Sequence, residues 1–335
     1  DRAFAAWRGL SFAARARHLR AVARELRRDA DSFAALITTE MGKPITQARA
    51  EIEKCALNCD YFAKHAAGFL ADERPAGAPA QRYVTYQPLG VVLAIMPWNF
   101  PFWQAFRAAA PALMAGNTMV LKHATNVTGC ARSIARVFTR ARVPRGVFST
   151  LVLDGAQTEP LIDDPRLAMV TLTGSTAVGR RVAARAGAAM KPGVFELGGS
   201  DAYIVLADAD LASAAALGAE SRLYNTGQSC VAAKRFIVVE KVRARFEALL
   251  VAEMARRRSG DPRDPATQLG PLARADLRAE LHAQVQRSVR AGAKVLLGGR
   301  LPGGAGWFYP ATVLSGVRPG MAAFDEELFG PVAAV

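Results

Sequence analysis

Three positions in the sequence carry side chains that together suit covalent chemistry at a carbonyl carbon. Cys230 follows a glycine-containing turn, Glu196 stands directly before an apolar residue and two glycines, and Asn99 lies between two prolines. A thiol can attack a carbonyl carbon, a carboxylate can act as a general base, and an amide can donate to a developing oxyanion. These residue types therefore predict an enzyme that works through a covalent intermediate on Cys230.

A glycine and a serine at a predicted strand-to-helix turn indicate a phosphate site. Gly174 and Ser175 precede the predicted helix, and N–H groups at a helix N-terminus, together with a serine hydroxyl, can receive a phosphate. The spacing matches neither the G-x-G-x-x-G fingerprint nor a P-loop, so an ordinary capped helix start explains it equally well. Lys122, at the end of another predicted strand, can donate to a ribose hydroxyl, although a lone lysine is more often a surface residue.

Short apolar strands alternate with helices over residues 90–197, which is typical of a parallel, doubly wound α/β sheet. Such sheets bind ligands at the carboxyl ends of their strands. Asn99 comes just after one strand, Lys122 ends the next, and Glu196 is near the end of the last. The predicted strands are Val91–Met96, Met119–Lys122, Val147–Leu153, Ala168–Leu172 and Gly193–Leu197, and the predicted helices cover 102–115, 126–141, 156–163 and 176–189.

A second alternating region begins near Gly198 and predicts a second α/β domain. We therefore expect a dinucleotide-binding domain over residues 1–198 and a catalytic domain over residues 199–335. The predicted strands of the second region are Ala202–Leu206, Phe236–Val239 and Ala293–Leu297, and its predicted helices cover 210–223, 241–258 and 273–291.

The first 66 residues predict helices. One amphipathic helix is expected over Arg17–Leu36, and a second over residues 44–66. The segment Gly68–Pro88 then breaks the helical pattern and predicts an exposed loop with an edge strand at Arg82–Gln87. We expect this segment to be an arm that bridges to another subunit.

The formal net charge of +14 raises the question of a polyanionic partner. Only eight of the 43 basic residues are lysines, and the arginines are spread through alanine-rich predicted helices instead of forming a patch with aromatic residues. We expect no nucleic-acid partner, and a basic nucleic-acid-binding protein is the non-enzyme alternative. The longest apolar run, Leu89–Met96, is too short to cross a bilayer, so no membrane association is expected.

The four cysteines, at positions 55, 59, 130 and 230, do not form a disulfide framework for a chain of 335 residues. Cys55 and Cys59 lie four residues apart on a predicted helix, but no further cysteine or histidine nearby completes a zinc site, so no metal is expected. This cysteine usage predicts a reducing compartment, the cytoplasm. Because the chain begins at Asp1 and stops at Val335 inside a predicted strand, we expect a fragment of a longer protein.

Five motifs of this chain, in the same order and at the same spacing, resemble those of the aldehyde dehydrogenase superfamily. The resemblance covers essentially the whole chain and implies a Rossmann-type doubly wound domain plus a second α/β catalytic domain, C-terminally incomplete here, in a homodimer or homotetramer. Within the superfamily, residues 121–124 and 196–201 are most similar to bacterial succinate-semialdehyde dehydrogenases. The five motifs are Pro97–Pro101, Leu172–Gly179, Glu196–Gly199, Gly227–Cys230 and Glu327–Pro331.

The resemblance implies a role for each chemical group. Cys230 would attack the aldehyde to give a thiohemiacetal, whose oxyanion Asn99 and the Cys230 backbone N–H would hold. Hydride transfer to a nicotinamide would leave a thioester, and Glu196 would activate the water that hydrolyses it. An acylating member that uses coenzyme A would share Cys230 but release a thioester, and Glu196 favours the hydrolytic route.

The resemblance also implies the residues that bind NAD or NADP. Lys122 would contact the adenosine ribose, Ser175 the pyrophosphate, Glu327 the nicotinamide ribose, and Phe329 would pack near the ring. NAD-preferring members often carry glutamate where this chain has Thr125, so NADP is expected to be accepted as well as NAD. The other expected cofactor residues are Trp98, Gly174, Val178 and Leu197.

Arg107 stands where some succinate-semialdehyde enzymes place an arginine for the distal carboxylate of the substrate. A second arginine, six residues before the cysteine, is replaced by Tyr224 here, and Arg222 is nearby but out of register. We expect a dicarboxylic semialdehyde such as succinate semialdehyde as substrate. Trp103 and Phe102 would equally suit a pocket for other aliphatic or aromatic aldehydes.

Overall fold

The computed structural model describes residues 2–77, 79 and 82–335 and divides into two compact units. Unit 1 comprises the chain up to Leu36 together with Ala48–Leu197, and unit 2 comprises Ile37–Gln47 together with Gly198–Val335. The division between Leu197 and Gly198 falls one residue before the boundary expected from the sequence. No sequence pattern predicted that residues 37–47 belong to unit 2. The roles of the two segments as dinucleotide-binding and catalytic domains stay predictions.

Four helices open the chain, and the second of them begins at a capping serine. Ser11 caps the second helix by accepting a hydrogen bond from the Ala14 N–H. The single helix predicted over Arg17–Leu36 is wrong, because the chain leaves the helical conformation at Asp29. Leu26 and Phe33 are seven residues apart, two helical turns, so the apolar pattern stays in phase across the break. The helices are α1 (Arg2–Arg8), α2 (Phe12–Arg28), α3 (Ala30–Met41) and α4 (Ile45–Phe69).

The segment Gly68–Pro88 contains one antiparallel bridge in its described part. The N–H groups of Glu73 and Val84 each donate to the other residue's carbonyl oxygen, at 3.0 and 2.9 Å. The edge strand predicted at Arg82–Gln87 is wrong, because this single bridge does not extend into a ladder over the described residues. Residues 78, 80 and 81 of the expected arm lie outside the described residues, and the contact with another subunit stays a prediction.

Unit 1 contains a five-stranded parallel sheet in the order β3-β2-β1-β4-β5. Helices α5 and α6 pack against β1, β2 and β3, and α8 packs against β4 and β5. The reversal of strand order next to β1 confirms the predicted doubly wound sheet. The elements are β1 (Val91–Met96), α5 (Pro101–Met114), β2 (Thr118–His123), α6 (Thr128–Arg140), β3 (Phe148–Leu151), α7 (Gly155–Thr158), β4 (Leu167–Thr173), α8 (Thr176–Ala188) and β5 (Gly193–Glu196).

The core of unit 1 follows from the alternation of side chains along β1. Leu93 belongs to a buried cluster with Leu172 of β4 and Val182 of α8. The neighbouring residues Val92 and Ala94 are also buried, and successive side chains of a strand point to opposite faces of the sheet. Burial on both faces explains why β1 has no polar residue.

Unit 2 contains a mixed sheet in the order β6-β7-β10-β9-β8, in which β8 alone is antiparallel to its neighbour. Its two faces belong to separate apolar clusters: Val313 and Ala333 pack with residues of α9 and α10, whereas Leu314 and Val332 pack with residues of α11. The elements are β6 (Ala202–Val205), α9 (Leu211–Leu223), β7 (Arg235–Val238), α10 (Glu240–Ala255), α11 (Ala275–Arg290), β8 (Lys294–Leu297), β9 (Thr312–Ser315), α12 (Ala322–Asp325) and β10 (Val332–Ala334).

The second α/β domain predicted from the sequence is confirmed. Strand β9 was not predicted. The strand expected at the end of the sequence is β10, which pairs with both β7 and β9 and ends at Ala334, one residue before Val335. In the described part of the chain, every helix is too short or too polar to cross a membrane.

Candidate active site

The loop that carries Cys230 begins with an unusual backbone. After α9 ends, Asn225 and Thr226 both have φ 55° and Gly227 has φ 74°, a left-handed conformation that a β-branched residue such as Thr226 rarely adopts. A Cβ atom on Gly227 would lie 2.2 Å from the carbonyl group of Gly330. Glycine is therefore required here both for the conformation and for the close approach of residues 330–331.

Side-chain hydrogen bonds hold this loop in place. Asn225 Nδ2 donates to the carbonyl oxygen of Gln228 at 3.0 Å, and Gln228 Nε2 donates back to that of Asn225 at 3.2 Å. Thr226 Oγ1 accepts from the Gly270 N–H at 3.0 Å, and Gln47 Oε1 accepts from the Asn225 N–H at 2.7 Å. The polar residues before the cysteine thus satisfy buried backbone groups, and Gln47, which sequence reasoning missed, contributes from 178 residues away.

Cys230 is the one accessible thiol of the four, all of which are described. Cys55, Cys59 and Cys130 are buried, whereas Cys230 is partly exposed and unpaired. Burial raises the pKa of the Cys59 thiol far above its usual range. A reaction at cysteine in this structure therefore takes place at Cys230.

A buried lysine connects Cys230 with Glu327. Lys234 Nζ donates to the carbonyl oxygen of Cys230 at 2.6 Å and lies 3.0 Å from Glu327 Oε1, while its side chain is 1% exposed. Burial lowers the pKa of Lys234, and the charge of Glu327 opposes that shift. A Cβ atom on Gly198 would lie 2.1 Å from Glu327 Oε2, so the glycine makes room for the carboxylate. Sequence reasoning missed Lys234.

Arg222 is a second buried cation beside this loop. Its guanidinium donates to the Gly227 carbonyl oxygen, and among the residues that the structure describes its Nε and Nη1 have no hydrogen-bond partner. Burial lowers the pKa of Arg222 to about 9, while the charge of Glu327 acts in the opposite direction. Because Arg222 is fully buried, it supports the loop from inside and is closed to a substrate.

An open cleft of about 520 Å³ lies next to Cys230 in unit 2. The end of α9 and the residues on either side of the cysteine line it, including Tyr224, Ser229 and Val231. Among the lining residues that the structure describes, Glu220 alone is charged. Tyr224, expected from the sequence to line the substrate site, thus belongs to a wall that offers no cation to a carboxylate.

The candidate residues of unit 1 gather at the carboxyl edge of its sheet. Asn99 is buried just after β1, half-buried Lys122 is the penultimate residue of β2, Gly174 follows β4, and Glu196 ends β5. Because these strands are parallel, their carboxyl ends share one edge. Burial lowers the pKa of Lys122, and the carboxylate of Asp154 opposes that shift.

Arg107 contacts the predicted general base. Its Nη1 atom lies 3.4 Å from Glu196 Oε2, and its Nη2 donates to Thr173 Oγ1 at 2.9 Å. The side chain of Glu196 is 52% exposed and that of Arg107 is 33% exposed. Arg107, expected to bind substrate, and Glu196, expected to activate water, are therefore in contact. Thr173 is a second contact of Arg107, and the sequence did not reveal it.

The start of α8 has the features of a phosphate receptor. Ser175 Oγ accepts from the Val178 N–H at 3.4 Å, which leaves the hydroxyl proton free to donate. A Cβ atom on Gly179 would lie 2.3 Å from Leu197 Cδ2, so this helix packs directly against the end of β5. With Lys122 at the same edge, these groups fit a phosphate-bearing dinucleotide.

The remaining predicted residues lie in varied surroundings. Phe102 is fully buried between Phe33 and Phe106, which removes it from the lining of any pocket. The Trp103 ring lies 3.9 Å below the Lys54 ammonium. Trp98 is buried, Leu197 and Phe329 are partly exposed, and Thr125 and Val178 are exposed.

The family model described as the Aldehyde dehydrogenase family matches residues 1–335 of the chain. A succinate semialdehyde dehydrogenase [NAD(P)+] of Escherichia coli is 50% identical over 332 residues, which cover 99% of this chain and 72% of that protein. A succinate-semialdehyde dehydrogenase [NADP(+)] of Mycobacterium bovis is 49% identical over 338 residues, which cover 100% of this chain and 74% of that protein.

Solved structures of dehydrogenases that act on aldehydes also superimpose closely on this chain. A succinic semialdehyde dehydrogenase from Streptococcus pyogenes, in complex with NADP+, superimposes with a TM-score of 0.95 at 37% identity. The match covers 99% of this chain and 73% of the Streptococcus pyogenes chain. A lactaldehyde dehydrogenase from Escherichia coli superimposes with a TM-score of 0.96 at 35% identity. The match covers 100% of this chain and 71% of the lactaldehyde dehydrogenase chain.

Proposed function

The chain belongs to the aldehyde dehydrogenase family, and from that membership we propose that it oxidises succinate semialdehyde to succinate with NAD+ or NADP+. The observation that carries this proposal is the 50% identity, over 99% of the chain, to a succinate semialdehyde dehydrogenase. The net reaction converts the aldehyde, one water and the oxidised cofactor into the acid, the reduced cofactor and a proton.

Bond formation begins at Cys230. Its thiolate sulfur adds to the aldehyde carbon, and the electron pair of the C=O bond moves to oxygen. The Asn99 amide and the backbone N–H of Cys230 donate to this oxyanion, and the loss of one such donor lowers rates by about 10²–10³ in other enzymes. The partial exposure of Cys230 and the fixed loop before it support this role.

Binding and orienting the dinucleotide falls to side chains at the two ends of the cofactor. Gly174, Ser175 and the first turn of α8 would hold the pyrophosphate, and Lys122 would hold the adenosine ribose. Glu327, fixed by Lys234, would hold the nicotinamide ribose, and a bound nicotinamide supplies the acceptor for the hydride of the former aldehyde carbon. The exposed hydroxyl of Thr125, which carries no charge, supports the use of NADP+ alongside NAD+.

Release of the acid falls to Glu196. Its carboxylate takes a proton from water, the water oxygen adds to the thioester carbon, and the carbon–sulfur bond breaks to return the Cys230 thiolate. The half-exposed position of Glu196 at the end of β5 supports access to water.

The proposal is tested by the appearance of reduced cofactor. Succinate semialdehyde and uncharged aldehydes, among them butanal and benzaldehyde, are each combined with NAD+ and with NADP+, and kcat/KM is compared. We expect the highest kcat/KM for succinate semialdehyde, and no turnover of any aldehyde by Cys230→Ala. Higher kcat/KM for the uncharged aldehydes would reassign the substrate, and turnover by the cysteine variant would refute the covalent mechanism.

We further propose a homodimer or homotetramer in the cytoplasm, without nucleic-acid or membrane partners. Many arginines face carboxylates within their own unit, as Arg27 faces Glu53 and Asp60, which supports a solvated role for the charge. Light scattering of the protein tests the number of subunits, and its retention on DNA at rising salt tests the absence of a nucleic-acid partner. Salt-sensitive retention on DNA would favour the basic nucleic-acid-binding alternative.

A further inference from the structure

The contact between Arg107 and Glu196 is built into the sheet of unit 1. Thr173 and Glu196 are the last residues of β4 and β5 and are direct partners in the register of these strands. Arg107 lies in the second turn of α5, whose start is fixed by Glu51 Oε1, which accepts from the N–H groups of Phe102 and Trp103 at 2.9 Å each. One guanidinium therefore spans the ends of two neighbouring strands.

The guanidinium has donor capacity left over. Its Nη2 is used by Thr173, and its Nη1 is 3.4 Å from Glu196. Its Nε is buried and has no hydrogen-bond partner within residues 2–77, 79 and 82–335. A carboxylate that binds Arg107 in the bidentate manner would satisfy more of these donors than Glu196 does.

We propose that the distal carboxylate of the substrate displaces Glu196 from Arg107, and that this exchange frees Glu196 to activate water. The inference rests on the proposed function and adds to it a reason for selectivity after binding. The Glu196–Arg107 pair is single and half-exposed, and pairs of this kind are weak, so a bidentate competitor can replace it.

The exchange links substrate charge to thioester hydrolysis. While Glu196 Oε2 faces the Arg107 guanidinium, that oxygen is engaged in the ion pair and is not available to accept the proton of an attacking water. An acyl group without a distal carboxylate leaves Glu196 in this position, and its thioester is hydrolysed slowly. A succinyl group occupies Arg107, and the freed carboxylate then takes the proton of water as the carbon–sulfur bond breaks.

Aryl esters test the exchange without any cofactor. The mono-p-nitrophenyl ester of succinate and p-nitrophenyl butyrate transfer acyl groups of equal chain length to Cys230. In each case the burst of p-nitrophenolate reports acylation, and the steady state that follows reports thioester hydrolysis. For the unaltered protein we expect the succinyl group to be hydrolysed about tenfold faster, a part of the 10²–10⁴ that a positioned general base supplies.

Two variants separate the exchange from a structural role. Arg107→Met should raise the butyryl rate until the two acyl groups are hydrolysed within about twofold of each other, because Glu196 is no longer held. Thr173→Val keeps the charge of Arg107 but removes one of its anchors, and should raise the butyryl rate by a smaller factor. Arg136→Met, which changes an exposed arginine of α6, should keep the tenfold ratio.

Each result decides the matter. Equal succinyl and butyryl rates in the unaltered protein, or an equal slowing of both by Arg107→Met and Thr173→Val, would overturn the exchange while leaving the proposed function in place. Hydrolysis of both esters that Cys230→Ala retains in full would remove Cys230 as nucleophile and overturn both. A burst with a tenfold ratio that only the two altered contacts change would establish it.

Discussion

Glu196 is the residue whose replacement separates the two halves of the proposed reaction. Glu196→Gln keeps the size of the side chain but cannot take a proton from water. We expect a burst of reduced cofactor close to one per Cys230, followed by a steady state slowed by about 10²–10⁴, the usual contribution of a general base. Stopped-flow absorbance of the reduced cofactor measures both phases, and full steady-state turnover would take Glu196 out of thioester hydrolysis.

Lys234 offers a second test at the residue scale. Lys234→Met removes a buried charge and leaves Glu327, a quarter exposed, without its ion-pair partner. Breaking a fully buried pair costs about 3–5 kcal/mol, and the partial exposure of Glu327 reduces the expected loss of unfolding free energy to about 2 kcal/mol. The KM for NAD(P)+ should rise as Glu327 turns to water.

Urea unfolding and cofactor titration measure the two effects of Lys234→Met. Lys241→Met changes an exposed lysine on α10 and serves as the control. The double variant Lys234→Met with Glu327→Gln should recover part of the lost stability, since no unpaired charge remains. Unchanged stability and KM in Lys234→Met would show that the ion pair is dispensable.

Side chains whose residue type alone suggests chemistry could be identified from the sequence. Side chains whose role depends on burial or on a distant contact could not. The thiol of Cys230 stands out in a chain with four cysteines. Lys234, which directly precedes an ordinary strand, does not stand out, because its burial arises only when β7 pairs with β6 and β10. Thr173 was equally hidden, since its contact with Arg107 joins residues 66 positions apart.

At the scale of elements, the loop before Cys230 has the strictest geometric demands. Gly227→Ala places a methyl group 2.2 Å from the Gly330 carbonyl at a residue with φ 74°. We expect the unfolding free energy to fall by about 2 kcal/mol or more, from backbone strain and overpacking. The displaced loop should also slow alkylation of Cys230 by iodoacetamide.

A matched glycine with the opposite expectation is available for comparison. Gly187 lies near the end of α8 without a positive φ. Apart from its chain neighbours and the backbone of its own helix, no heavy atom of the described residues lies within 4 Å of the position that an added methyl group would take. Gly187→Ala should therefore stabilise the protein by about 0.5–1 kcal/mol through its effect on helix propensity. Thermal unfolding of both variants measures the pair, and a tolerated Gly227→Ala would contradict the tight contact with residues 330–331.

The elements of unit 1 were largely predictable because short, mostly apolar strands alternate there with helices. Val91–Met96 was predicted with its observed bounds, and the other strands of this sheet lie within two residues of expectation. Unit 2 was harder. Strand β9 follows a glycine- and proline-rich stretch and has only four residues, too few for a clear period.

The two sheets also place their candidate residues at different edges. In unit 1 these residues lie at or just after the carboxyl ends of the strands. In unit 2, Cys230 precedes β7 and Glu327 precedes β10, at the amino ends of strands that run parallel. The rule that ligands bind at carboxyl ends therefore predicted only the edge in unit 1.

At the scale of the whole molecule, the division into units is not continuous along the chain. Residues 37–47 belong to unit 2, where the Ile45 N–H donates to the carbonyl oxygen of Pro262 at 2.8 Å and Gln47 Oε1 accepts from the Asn225 N–H. No local sequence pattern reveals that residues 37–47 belong to unit 2, because helices α3 and α4 have the same pattern as the other helices of the first region.

Gln47→Ala tests this long-range support. The substitution leaves the N–H of fully buried Asn225 without its acceptor, and an unsatisfied buried group costs about 1–3 kcal/mol. We expect that loss in urea unfolding, together with slower alkylation of Cys230, and no effect from Gln87→Ala at an exposed glutamine. A Gln47→Ala protein with normal stability and normal thiol reactivity would show that residues 37–47 are incidental to the loop.

The cleft beside Cys230 has a practical meaning for engineering. Tyr224 and Val231 line it with exposed side chains, while Asn225, Thr226 and Gln228 between them are buried and bonded to the backbone. A mutant library aimed at bulkier aldehydes can therefore randomise the first pair freely and should leave the other three untouched. In this chain the two residues open to variation stand at the ends of the peptide 224–231, and the residues that hold the loop of the nucleophile lie between them.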